Sequence, residues 1–179
     1  MFNSVSIIVT IEEQQSQLRQ LLPRLLSLRY GGEYEVIVVD KKHDKDLEEW
    51  LDEMEACHPN LCHTFCPASA RGIDLHKLAV TLGAKAANYE WLVILPVETN
   101  LPNEEWLANI MADIDDQADI VVCDIKRRYR HAWLWNIFRR KFTVFRSSSS
   151  IIICRRSVAL QPSNNNSPDN KFIKYIMVK

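Results

Sequence analysis

Short apolar runs alternate with helical patterns along the first two thirds of the chain. Residues 5–11 (Val5-Ser6-Ile7-Ile8-Val9-Thr10-Ile11) form one such run, and residues 34–39, with Val36, Ile37, Val38 and Val39, form another. Both are rich in β-branched side chains, which fit a pleated surface. A third run, Glu90-Trp91-Leu92-Val93-Ile94-Leu95, has five consecutive apolar residues, as expected of a strand covered on both faces. Pro96 follows; it has no N–H to give a ladder, so pairing should end there. Between the runs, leucines recur at helical spacing: Leu18, Leu21, Leu22 and Leu25, then Leu47, Leu51 and their companions Trp50 and Met54. With a short strand over 61–65 and a helix over 75–87, the order is β-α-β-α-β-α-β. That alternation predicts an α/β domain with a mostly parallel, doubly wound sheet and helices on both faces.

Local signals set finer expectations. Glu12 and Glu13 suit a helix start, where negative charge is favoured. Pro23 interrupts the first helical pattern and should kink or divide it near Leu22. Asn103 can cap a helix over 104–116, with Glu104 and Glu105 in its first turn. A further strand is expected over 119–125, and the last twenty residues read as only partly ordered. In open α/β sheets, ligands bind at the carboxyl ends of central strands. The loop over 96–100 is therefore the expected centre of any site.

The chain has 179 residues, 47% of them hydrophobic, enough for one domain with a real core. No apolar run approaches the ~18 residues a spanning helix needs. The first residues carry no basic stretch of the signal-peptide kind, so the expected location is the cytoplasm, including its membrane face. Five cysteines read as free thiols. Cys57-His58, Cys62-His63 and Cys66 superficially suggest zinc, but the spacing contains no Cys-x-x-Cys pair and straddles a strand whose faces alternate.

Charge divides the chain. Residues 1–125 hold 9 Lys+Arg against 22 Asp+Glu, whereas residues 126–179 hold 13 against 1. The basic part includes an aromatic segment, 126–146, with eight Lys+Arg and no acid. It has two readings: an amphipathic helix packed on the sheet, its charges answering the acidic part, or a peripheral contact with an anionic membrane surface. No nucleic-acid motif accompanies it.

Strands over 5–11 and 34–40, together with Leu82 to Glu98 and Trp106-Leu107 beyond, resemble the nucleotide-binding half of family 2 glycosyltransferases, which have the GT-A fold. The resemblance covers roughly residues 4–125, leaving 126–179 as a basic aromatic extension and polar tail of the same domain, short for the family. It implies transfer of a sugar from a nucleotide-sugar donor to the hydroxyl of a glycan or lipid-linked acceptor, with Mg²⁺ or Mn²⁺ as cofactor. It places Thr10, Glu12 and Asp40 at the nucleotide, Asp40 as the acidic residue that closes the second strand and contacts the base. The basic residues Arg71 and Lys77 are candidates, on their charge, for neutralising the diphosphate in place of a metal. The family's metal-binding Asp-x-Asp is here Pro96-Val97-Glu98, of which only Glu98 can be a ligand. The late acidic pair that carries the catalytic base survives only as Asp169.

The residues leave alternatives. Asp40 could instead cap the turn at Lys42 or His43. Arg71 and Lys77 could be solvated surface charges, Glu98 a loop carboxylate without a ligand, and Asp169 a polar tail residue. A non-catalytic member that keeps the nucleotide pocket is the competing function.

Overall fold

The structure, a computed structural model, describes residues 3–70, 74–112, 114, 120–124, 150–160 and 173–176. Strand β1 (Val5–Ile11) lies in the middle of the sheet. It pairs in parallel with β2 (Tyr34–Asp40) on one side and β4 (Trp91–Pro96) on the other. Strand β3 (Leu61–Phe65) continues the parallel ladder beyond β2. Past β4 come β6 (Ser150–Arg155), antiparallel to both its neighbours, then β5 (Ile120–Asp124) and β7 (Ile173–Ile176). The order is β3-β2-β1-β4-β6-β5-β7. The expected mostly parallel, doubly wound sheet is present, with β6 as its antiparallel member.

Strand alternation feeds two cores. Ile7, Val9, Val36, Val38, Val93 and Leu95 face helices α1 (Gln15–Leu26), α2 (Lys45–Cys57) and α4 (Trp106–Ala112). Ile8, Ile37, Val39 and Leu92 face α3 (Leu75–Ala86) and the short α5 (Arg156–Ala159). Helix α3 approaches the sheet through Gly83: a Cβ there would meet Ile8 Cγ2 at 2.6 Å. At the amino edge, Glu35 accepts from Ser6 Oγ at 2.6 Å and from the Asn88 backbone and side chain at 2.7 Å each, tying β1, β2 and the approach to β4 together.

Several local expectations are corrected. Helix α1 runs unbroken through Pro23. The lost backbone bond would have gone to the Arg19 carbonyl; Arg19 and Pro23 are both exposed, so water can replace it. The helix starts after Glu12 and Glu13, at the N-cap Gln14, whose side-chain oxygen accepts from both of their backbone N–H groups. Helix α4 begins at Trp106 rather than Glu104, because the Glu104 carbonyl is taken by the Arg29 N–H at 2.8 Å and its carboxylate by Arg29 Nε at 2.8 Å. Residues 173–176 form β7, which is compatible with the partial order expected of the final twenty residues.

Candidate functional site

Strand order reverses between β1 and β4, so the crevice at their carboxyl ends is the topological switch point where open α/β sheets bind ligands. The register aligns Thr10 with Val39 on one side and Pro96 on the other, and Ile11 with Asp40. Thr10, Glu12, Asp40 and Glu98 thus follow three adjacent strand ends. Lys77 is exposed in the first turn of α3, where its N–H is capped by Asp74. Arg71, Asp169 and the segment 126–146 lie outside the described residues.

Asp40 is 5% exposed. Its carboxylate accepts the Lys42 N–H at 2.8 Å and the Asp44 N–H at 2.6 Å, so the turn-closing role expected of it is present. A carboxylate has about four lone-pair directions, of which these two bonds occupy two. The loop it organises turns through His43, which adopts a positive φ of 55°. Asp44 then caps α2, accepting from Asp46 and Leu47.

Two ion pairs cross from this loop to the end of β1. Lys41 reaches Glu12 at 3.3 Å, and Lys42 pairs with Glu13. The hydrogen bond and charge of Lys42 hold the Glu13 carboxyl below the usual range, and Glu13 in turn raises the Lys42 ammonium. Glu12 is therefore already engaged by a cation of the neighbouring strand's loop.

Two features were not legible in the sequence. His43 stacks on Phe65, ring centroids 3.6 Å apart and planes 1° from parallel, beside Asp40. Arg24 of α1 donates from Nη1 to Asn100 Oδ1 at 2.8 Å and from Nη2 to the Leu101 carbonyl, pinning the loop after β4. A cleft of about 310 Å³ lies between α1 and this loop, lined by Gln17, Arg24 and residues 97–100 among others. Neither contact has a local signal; the second joins residues 76 and 77 apart in sequence.

The donor set at this edge does not fit a divalent ion of the Asp-x-Asp kind. Pro96 has no ligand atom, and Val97 is 4% exposed and packed in the core. Glu98 is exposed, and among the described residues it belongs to no cluster of three metal-ligating side chains. Mg²⁺ and Mn²⁺ require several oxygens in near-octahedral order, which one exposed carboxylate does not supply. Among the described residues, Cys57, Cys62 and Cys66 form no disulfide. Burial pushes the Cys62 thiol up to about 11, with Glu35 and Glu55 adding to it, and also raises Cys66.

The model of the family described as glycosyl transferase family 2 matches residues 6–159, most of the chain. The chain belongs to glycosyl transferase family 2. Solved structures with the same fold include the mannosyltransferase PcManGT from Pyrobaculum calidifontis in complex with GDP-Man and Mn²⁺, at 20% identity and a TM-score of 0.64, with 88% of this chain and 46% of that chain covered. TarS 1-349 of S. aureus is similar at 20% identity and TM-score 0.60, with 87% and 48% covered. The same TarS fragment in complex with UDP-GlcNAc aligns at 21% identity and TM-score 0.57, with 87% and 46% covered. This family 2 chain therefore spans about half the length of these proteins. No match to it is found among curated proteins. No helix among its described residues is long and apolar enough to cross a membrane.

Proposed function

We propose that this family 2 chain binds the nucleotide of a nucleotide-sugar along the carboxyl edge of β1, β2 and β4, and serves glycosyl transfer to an acceptor hydroxyl. The observation that carries the reading is the buried Asp40 carboxylate at the end of β2, one strand from the β1/β4 switch point. It would accept an N–H of the base, with Thr10 and Glu12 beside it and Lys77 and Arg71 answering the diphosphate charge. The similar structures were solved with GDP-Man or UDP-GlcNAc, which supports a nucleoside-diphosphate donor. In the transfer, a carboxylate base takes the acceptor's hydroxyl proton, the oxygen attacks the anomeric carbon, and the nucleoside diphosphate leaves with the bonding pair. Asp169 is the candidate base.

Pro96 and the core-packed Val97 favour a second reading, in which the chain binds nucleotide without transferring sugar. Incubation with GDP-mannose and with UDP-GlcNAc, followed by measurement of released nucleoside diphosphate, separates the two. Release above the Asp169→Ala background supports transfer; nucleotide binding without release supports the second reading.

A further inference from the structure

We propose that His63 and Asp52, oriented by Glu55, form a binding site for a divalent transition-metal ion of the zinc class on the outer edge of the sheet. His63 lies in β3, the terminal strand, and Asp52 and Glu55 stand three residues apart on α2, so they share the helix face turned toward it. One ligating atom from each of the three lies within 4.8 Å of the others.

The two ring nitrogens have different partners. Nδ1 is 2.8 Å from Glu55 Oε1, a hydrogen bond in which the ring N–H donates to the carboxylate. With Nδ1 held in this way, Nε2 is the nitrogen turned toward Asp52, the arrangement in which carboxylates orient metal-binding imidazoles. Nε2 lies 3.9 Å from Asp52 Oδ1. Such a separation exceeds a hydrogen bond of about 2.7–3.2 Å. Two zinc bonds of about 2.0–2.2 Å at a tetrahedral angle span roughly 3.3–3.6 Å, so Asp52 would close by a few tenths of an ångström to share an ion with Nε2.

The surroundings suit an ion held by few protein ligands. The His63 side chain is 12% exposed and fixed by packing, whereas Asp52 is 68% exposed, free to close on the ion and to admit water as further ligands. Imidazole with carboxylate selects zinc, copper or nickel over Mg²⁺. Cys62, next in sequence, points to the opposite core. The site is separate from the nucleotide edge: His63 aligns with Val38 in mid-sheet, while Asp40 aligns with Phe65 at the strand end. An ion here would clamp α2 onto β3.

The test is calorimetric titration of the full chain with ZnCl₂ in the absence of nucleotide. One equivalent should bind, raise the melting temperature, and be removed by chelator. His63→Ala and Asp52→Asn should each weaken binding at least tenfold. Cys57→Ser, which removes an exposed thiol, should leave it unchanged. Asp52→Asn alters an exposed helix position and keeps the test valid should His63→Ala fail to fold. Absence of stoichiometric binding, full affinity in Asp52→Asn, or loss of binding in Cys57→Ser would overturn the proposal.

Discussion

The Asp40 carboxylate holds the Asp44 backbone N–H at 2.6 Å, so the residue that ends β2 also sets where α2 begins. A second bond, from Lys42 N–H at 2.8 Å, closes the intervening turn. A hydrogen bond to a charged group contributes ~1.5–3 kcal/mol, and partial relaxation reduces the sum. Asp40→Ala is therefore expected to lower stability by about 2–4 kcal/mol in urea denaturation, and Asp40→Asn, which keeps one acceptor, by roughly half as much. An Asp40→Ala variant as stable as the parent would show that the turn holds itself.

Gly83 gives a packing prediction. Alanine improves helix propensity by about 1 kcal/mol over glycine. Its methyl would sit 2.6 Å from Ile8 Cγ2, on a β-branched side chain that is fully buried. Overpacking of this kind costs about 1–3 kcal/mol, so Gly83→Ala should be net destabilising by about 1 kcal/mol. In a double-mutant cycle with Ile8→Ala, the Gly83→Ala penalty should vanish. A cycle with no coupling energy contradicts the contact.

The Glu13–Lys42 pair has a defined pH window. The folded Glu13 pKa lies below its ordinary 4.5, so its contribution is present above that value and is lost as pH falls through the lowered one. The folded Lys42 pKa lies above 10.5, so its contribution is present below that value and is lost as pH rises through the raised one. Both groups are exposed, which keeps the effect small and salt-sensitive. Lys42→Ala should differ from the parent in melting temperature at neutral pH and low salt, and the difference should close at high salt or below the lowered Glu13 value. A constant difference across pH would assign it to something other than the ion pair.

Metal dependence follows from Pro96-Val97-Glu98. With one exposed carboxylate available, Mn²⁺ should strengthen nucleotide binding by less than about tenfold, the equivalent of ~1.4 kcal/mol. Pro96→Asp with Glu98→Asp should enlarge that effect. Strong Mn²⁺ dependence in the unmodified chain contradicts the assignment.

The sheet was readable because its signals are local and repeated. Val36 to Val39 and Trp91 to Leu95 are short, β-branched or aromatic apolar runs that suit buried strands, and the strand ends bring Thr10, Asp40 and Glu98 to one edge. Strand β6 was harder: Ile151 to Cys154 is a short apolar run whose antiparallel place between β4 and β5 depends on distant partners. Pro23 misled because the local cost of a missing N–H is offset when Leu18, Leu21, Leu22 and Leu25 bury one continuous helix face. The Arg24 clamp, the His43–Phe65 stack and the approach of His63 to α2 all join separate elements. Periodicity and spacing carry no record of such contacts.

The central claim is that nucleotide binds at the carboxyl edge through Asp40. Calorimetry with UDP and with GDP, on the parent and on a folded Asp40→Asn variant, tests it most directly. The account predicts that one of the two nucleotides binds the parent, and that Asp40→Asn weakens it by ~1.5–3 kcal/mol through loss of a charged acceptor. Binding of neither nucleotide, or equal affinity in the variant, would contradict it.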